Sequence, residues 1–308
     1  MFLENDCNIT MWTKSEEEKL RLEKDKCNKK VLPDYVISDK IKITTCLENS
    51  VKNANLIVIA IPVKFVNNTI MELKKYYRKN QHICIASKGI EQGSCLFIAS
   101  IVKKNINTKK ICVISGGTFA VDMIKKVPLG LSLASKNKVT INIMKKMLQN
   151  EYLKLIPTGD IFGVEMYGAI KNVIAIAGGV IDGMGYPEST KCMFITKSLN
   201  DIVNLIYEMG GNKKTILTYA GIGDLLLTCN SVKSRNYSFG KMLGEKRPKD
   251  EIKQYLETTT IEGFYTLESI YKLLKHKKVS IPIINLIYDI AVEGLNPEEL
   301  LTFLVEKG

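Results

Sequence analysis

Residues 220–244, AGIGDLLLTCNSVKSRNYSFGKMLG, hold Asp224, Thr228, Ser234, Arg235 and Asn236 within one glycine-bounded segment. An acid, hydroxyls, a guanidinium and an amide so close together suit a small phosphorylated and hydroxylated molecule. Arginine presents a rigid donor fork that matches phosphate oxygens, and glycine lets the backbone come close to a ligand. The same residue types also fit a helix–loop–helix with a surface arginine and an aspartate cap. Lys171, in YGAIKNVIAIAGGVIDG, lies within a strongly apolar helical pattern. Lysine is rarely buried without a partner, and Asn172 or Asp182 are placed to orient it or a ligand. Lys88 sits at the carboxyl end of an apolar run, HICIAS, and is followed by Gly89.

The positioning elements form two kinds of pattern. The first half alternates strand-like and helix-like segments. Strands are predicted at Asn8–Trp12, around Leu56–Ile61, at HICIAS, at Ile111–Ser115, at Gly130–Ala134 and at Tyr152–Ile156. Ser15 opens a charged helix with Glu18 three residues on, the spacing of a capping box. Further helices are predicted at Val63–Tyr77, Leu96–Lys103 and Val139–Leu148. Strands separated by helices imply βαβ units and a parallel sheet. After Pro157 helical patterns take over, at Phe162–Ile181, Glu188–Met209, Asp224 onward, Thr266–Leu274 and Ile283–Val292. The expected architecture is an α/β Rossmann-like parallel-sheet domain over 1–157, followed by an all-α substrate domain over 158–308. Ligands of such sheets bind beyond the carboxyl ends of the strands. Three strand ends stand out there: Pro62 with Phe65, Ser87–Lys88–Gly89, and Ser115–Gly116–Gly117–Thr118–Phe119–Ala120.

Composition excludes several classes. The 308 residues are 45% hydrophobic, enough for one large domain or two ordinary ones. No apolar run reaches the roughly 18 to 20 residues of a membrane span, and the first residues lack a signal-peptide pattern. A cytoplasmic location is therefore expected. Eight cysteines are scattered singly and there are two histidines, so no metal site is expected. The net charge of +12 comes from lysine pairs along the whole length, such as Lys29–Lys30, Lys103–Lys104 and Lys277–Lys278. A nucleic-acid face would need one basic stripe with interleaved aromatics. The dispersed charge reads as a solvated surface that also draws in small anions.

The segments ASKGIE, AIKNVIAIAGGVIDGMGY and AGIGDLLLTCNSVKSRNYSFG, in this order and spacing, resemble the bacterial NAD(P)-dependent glycerol-3-phosphate dehydrogenases. The resemblance runs from the first residues to about residue 300. It implies interconversion of dihydroxyacetone phosphate and sn-glycerol 3-phosphate, supply of the phospholipid backbone, NAD or NADP as cofactor, no metal, and a homodimer by default. Residue by residue, it implies that Lys171 is the acid–base group and that Lys88 polarises the carbonyl and lowers the Lys171 pKa. Asp224 would orient the lysine and the substrate hydroxyls. Gly116, Thr118, Asn172 and Thr228 belong with the substrate, and Ser234, Arg235 and Asn236 with its phosphate. Pro62, Phe65, Lys88, Ala120, Arg235, Thr260 and Glu262 fall where the family meets its cofactor.

Two departures carry expectations. Family members begin with a strand, a GxGxxG turn and the first half of a helix, where the pyrophosphate meets backbone amides. Here Met1–Asp6 reads as the last turn of that helix and Asn8–Trp12 as the second strand. The expected consequence is a shortened or disrupted product with poor cofactor binding and little activity, or a non-catalytic remnant binding at most a triose phosphate or a partner subunit. Gly117 stands where the family usually has proline, which is expected to loosen its loop. At the end of the second strand, Trp12–Thr13–Lys14 has no acid to accept ribose hydroxyls, and Lys14 could take a 2′-phosphate, so NADP is expected to be tolerated.

Overall fold

Ser15 caps the first helix as its spacing predicts: its Oγ accepts from the Glu18 amide at 3.1 Å, and the helix runs from Glu16 to Asp25. The computed structural model describes residues 1–29, 31–277, 279 and 281–305. Lys30 and Lys278, each half of a lysine pair, lie outside them. In chain order the first part is β1 (Ile9–Trp12), α1 (Glu16–Asp25), β2 (Ile41–Thr44), α2 (Leu47–Val51), β3 (Leu56–Ile59), α3 (Val66–Leu73), β4 (His82–Ile85), α4 (Ile98–Ile106), β5 (Ile111–Ser115), α5 (Ala120–Met123), β6 (Leu129–Ala134), α6 (Lys138–Leu148) and β7 (Leu153–Thr158). Met1 precedes a short 3-10 turn, Phe2–Asn5. Then come α7 (Ile161–Gly183), α8 (Glu188–Glu208), α9 (Asp224–Cys229), α10 (Arg235–Gly244), α11 (Lys249–Thr258), α12 (Glu262–Lys277), α13 (Pro282–Tyr288) and α14 (Glu299–Val305).

Among the described residues the strands form two sheets. β1 and β2 pair in parallel by themselves, and β3-β4-β5-β6-β7 form the second sheet in that order. The larger sheet is parallel at β3–β4, β4–β5 and β6–β7, as the alternating pattern predicts, but β6 runs antiparallel to β5, with Val113 opposite Ala134 and Ser115 opposite Ser132. The physical reason is the link between them. It carries only the short helix α5, whereas a parallel return needs a crossover that spans the sheet. β2 is a strand that no apolar run announces, and α3 stops at Leu73, short of the expected Tyr77.

Two cores sandwich the larger sheet. Ile59, Ile83, Ile85 and Val113 face Val66 and Ile70 of α3 and Ile98 and Val102 of α4. On the opposite face Cys84, Cys112, Leu131, Leu133 and Leu155 meet Met144 and Leu148 of α6, with Met1 and Phe2 packed against them. Cys84 and Cys112 are free, buried thiols that fill space as small hydrophobes.

Helix α7 is the axis of the second part. It is long and apolar enough, by length and composition, to cross a membrane, although Glu165, Lys171 and Asp182 interrupt its apolar run. Yet 89% of its apolar window is buried inside the protein, against Phe194, Ile202, Phe239, Leu267 and Ile284 among others. Helices apolar on all sides occur at the centres of large cores as well as in membranes, and α7 is of the first kind here. Asp160 caps it through the Gly163 amide at 2.9 Å and also accepts from Asn212 N and Thr215 Oγ1.

Candidate active site

Between β6 and α9 the chain makes a π-helical turn, Tyr219–Gly223, broken at Gly221 (φ −87°, ψ −113°). That turn is pinned to the α/β part. The Ala220 amide donates to Ser132 Oγ at 3.0 Å. The Tyr219 ring lies over Gly130, where an added Cβ would stand 2.5 Å from it. Gly117 is equally tight, since a Cβ there would be 2.8 Å from the Gly223 carbonyl oxygen. Gly117 was expected to loosen its loop; it instead lets that loop lodge against the turn leading into Asp224.

So held, Asp224 points between two lysines. Its Oδ1 accepts from Lys171 Nζ at 2.5 Å and its Oδ2 from Lys88 Nζ at 2.5 Å. Only 2% of the Asp224 side chain is exposed, against 11% for Lys171 and 22% for Lys88. Lys171 also donates to Thr228 Oγ1 at 2.9 Å, and Lys88 reaches the Gly116 carbonyl at 3.4 Å. Ser115, which sequence reasoning noticed only as part of a strand end, places its Oγ 3.4 Å from Asp224 Oδ2.

The electrostatics follow from this packing. Burial, followed by the neighbouring Lys88 ammonium, pushes Lys171 down to about 8, against the pull of Asp224. Burial alone would raise the Asp224 pKa, but Lys88 and Lys171 together hold it below the ordinary carboxylate range. The cluster therefore carries two ammonium groups on one carboxylate, with the Lys171 proton held loosely enough to be exchanged near neutral pH.

The phosphate-type residues open α10. Ser234 is its N-cap and accepts from the Tyr237 amide at 3.3 Å. Arg235 and Asn236 form the first turn, where helix amides and dipole favour an anion. Arg235 is exposed, whereas Asn236 is buried and accepts at Oδ1 from the Gly263 amide at 2.8 Å. Gly263 is the second residue that sequence reasoning passed over. A Cβ there would be 2.6 Å from Asn172 O and 2.7 Å from Asn236 Oδ1. It thus brings the neighbours of Lys171 and Arg235 to one point, and its signal was the glycine directly after Glu262.

Next to Lys88 opens a cleft lined by Pro62, Val63, Ile90, Thr260, Glu262 and Tyr265. It lies beyond the carboxyl ends of β3 and β4. Gly89 (φ +127°) passes between Thr266 Oγ1 and Val63 Cγ2, each 3.1 Å from where a Cβ would be. Burial raises the Glu262 carboxyl, opposed by Arg235, Lys88 and Lys171, so the cleft and the lysine cluster share one field. Pro62, Thr260 and Glu262 are therefore brought together with Lys88. Thr118 follows β5, its amide bonded to Gly116 O at 3.0 Å. Lys14, Phe65 and Ala120 are exposed, and among the described residues no hydrogen bond or ion pair joins them to the cluster.

A nucleotide-binding type of sheet, a helical partner and a lysine–aspartate–lysine cluster at their junction define a two-domain dehydrogenase architecture. Family models described as the N-terminus and the C-terminus of NAD-dependent glycerol-3-phosphate dehydrogenase match residues 1–141 and 160–302. The chain belongs to that family. It is 34% identical to the glycerol-3-phosphate dehydrogenase [NAD(P)+] of Leptospira biflexa, over 97% of this chain and 91% of that protein. With the enzyme of the same description from Fusobacterium nucleatum the figures are 32%, 98% and 90%. The crystal structure of glycerol-3-phosphate dehydrogenase from Coxiella burnetii superposes with a TM-score of 0.92 at 26% identity, covering 99% of this chain and 94% of that one. A Plasmodium falciparum glycerol-3-phosphate dehydrogenase, 19% identical with a TM-score of 0.88, shares the fold over 98% of this chain and 87% of its own.

Proposed function

We propose that the protein is an NAD(P)-dependent glycerol-3-phosphate dehydrogenase, interconverting dihydroxyacetone phosphate and sn-glycerol 3-phosphate for glycerophospholipid synthesis. Residues 1–157 serve the cofactor and 158–308 the substrate, and the chain works as a homodimer. The observation that carries this reading is the buried Lys171–Asp224–Lys88 bridge beside the first turn of α10.

The cleft beside Lys88, beyond the carboxyl ends of β3 and β4, is where such a sheet would receive the reactive end of a nicotinamide dinucleotide. Pro62, Lys88, Thr260 and Glu262 would hold that end, with Phe65, Ala120 and Arg235 flanking it and Lys14 favouring a 2′-phosphate. The cofactor, when bound, supplies or accepts the hydride. Lys171 gives its proton to the carbonyl oxygen in reduction and removes the hydroxyl proton in oxidation. Lys88 stabilises negative charge on that oxygen. Asp224 holds both ammonium groups in place, with Thr228 as the second acceptor for Lys171. Ser234, Arg235, Asn236 and the amides of α10 receive the phosphate, while Gly116, Thr118 and Asn172 border the substrate.

β1 and β2 form a sheet separate from β3–β7, and that separation favours a second reading, a non-catalytic family member that binds triose phosphate or a partner subunit. One assay separates the two: dihydroxyacetone phosphate-dependent oxidation of NADH or NADPH by this chain, lost in Lys171→Ala and Arg235→Ala. No turnover at millimolar cofactor, with sn-glycerol 3-phosphate still bound, selects the second reading; wild-type rates in both variants reject the site.

A further inference from the structure

Behind the phosphate end of the site, α7 and α10 touch backbone to backbone. A Cβ on Gly179 would lie 2.0 Å from the Tyr237 carbonyl oxygen, and one on Gly183 would lie 2.3 Å from that of Lys241. Reciprocally, Gly240 would meet the Ile176 oxygen at 1.8 Å and Gly244 the Val180 oxygen at 2.1 Å. Glycines four apart on both helices thus form one seam, and any side chain in it would push the helices apart. Lys171 lies on one of these helices and Arg235 and Asn236 on the other, so the seam sets the spacing between acid–base group and phosphate.

A seam of this sort fixes separation but resists sliding and rotation poorly. A polar clasp beside it does that. Lys191 of α8 is 3% exposed, although its ammonium makes no hydrogen bond or ion pair with the Lys171–Asp224–Lys88 bridge. Its Nζ donates to Glu188 Oε1 at 3.0 Å and lies 3.4 Å from the Tyr237 hydroxyl. That hydroxyl also neighbours Asp182 at the end of α7, whose carboxyl, despite partial burial, is held below its usual range by Lys241 and the Tyr237 hydroxyl, and Asp182 forms an ion pair with Lys241 of α10 at 2.9 Å. The Lys191 stem runs beside Gly178, whose other neighbour is Cys229, the last residue of the helix that carries Asp224 and Thr228. Tyr237 is consequently held at three places: its amide by Ser234, its carbonyl against Gly179, and its hydroxyl by Lys191 and Asp182. It directly follows Arg235 and Asn236 in the first turn of α10.

We infer that Tyr237, clasped by Lys191 and Asp182, is a positioning residue that fixes the first turn of α10 and so aims Arg235 and Asn236 at the substrate phosphate. This inference rests on the proposed function, because it acts through the phosphate residues assigned there. The clasp touches no reacting atom. Its loss therefore weakens phosphate recognition and leaves the proton-transfer step as it was, a KM effect without a kcat effect.

The test measures binding of sn-glycerol 3-phosphate to the full chain by calorimetry, a readout that needs no dinucleotide. Tyr237→Phe keeps the ring and removes the hydroxyl; Lys191→Met keeps the stem and removes the charge. Each is expected to bind roughly tenfold more weakly, the scale of losing a hydrogen bond to a charged group. Lys191→Arg is expected to restore most of the affinity. Melting temperatures identify variants that are folded at the temperature of the titration, and Lys191→Met decides should Tyr237→Phe not fold. Arg235→Ala separates the two levels of the claim. If it binds like wild type, the phosphate site itself is misplaced and the inference falls with it. If Arg235→Ala loses affinity while folded Tyr237→Phe and Lys191→Met bind like wild type, the positioning role alone is overturned.

Discussion

The two halves of the site differ in how firmly they are built. On the substrate side most of the proposed functional groups, the exposed Arg235 apart, are held by a partner that is itself held. Asp224 is fixed by the kinked turn over Gly117 and Gly130, Lys171 by Asp224 and Thr228, Asn236 by Gly263, and α10 by the glycine seam. On the cofactor side, among the described residues, the first two strands pair only with each other, and Val58 of β3, the strand at one edge of the larger sheet, is 39% exposed. Unpaired strand edges leave backbone donors and acceptors to solvent and weaken local structure. On the proposed function, the contrast means that recognition of the phosphorylated substrate would rest on helix packing within one core, whereas the cofactor would rest on strand ends with fewer fixed partners.

The sharpest way to break the comparison is Lys171→Ala. With proton transfer removed, turnover should fall by about 10²–10⁴, while binding of sn-glycerol 3-phosphate measured by calorimetry changes far less. Asp224→Asn comes next. It leaves two close ammonium groups without their carboxylate, so about 3–5 kcal/mol of stability should be lost, read as a lower urea midpoint at pH 7. Arg235→Ala should raise KM for dihydroxyacetone phosphate by roughly 10- to 100-fold, the scale of a charge-assisted contact, with a smaller change in kcat. Smallest of all is Lys14→Ala. An exposed charge contributes up to about 1 kcal/mol, so KM for NADPH should rise a few-fold and KM for NADH should stay unchanged; a larger loss with NADH would place Lys14 elsewhere in the mechanism.

The substrate half was also the more legible in the sequence. Lys171 stood out because an apolar helix gives a lysine no solvent to reach, and Asp224, Thr228 and Arg235 because they share one short segment. The capping serine Ser15 and the apolar runs of β3, β4 and β5 were equally plain, since a buried strand must be apolar on both faces. Other features have no local signal. β2 is IKIT, a short alternating stretch among charged residues, with Lys42 exposed. The reversed direction of β6 lies in what its connecting loop can span. Gly179 and Gly183, like Gly240 and Gly244, are visibly four apart, but which helix each pair faces is a tertiary fact. Lys191 and Tyr237 read as ordinary members of amphipathic helices, because a clasp between three helices exists only once they pack.

The central claim is that Lys171 is the acid–base group and that its neighbours set its proton affinity. The direct measurement is kcat/KM for dihydroxyacetone phosphate reduction against pH, for wild type and Lys88→Met, at a fixed high cofactor concentration. Reduction needs the protonated lysine, so the wild-type profile should be flat below its pKa and fall above pH about 8; oxidation of sn-glycerol 3-phosphate, which needs the neutral lysine, should rise through the same range. Lys88 disfavours a second positive charge nearby, so Lys88→Met should lower the rate and move the break upward. A break that stays in place in Lys88→Met, or a wild-type profile without one between pH 6 and about 10, would contradict the assignment.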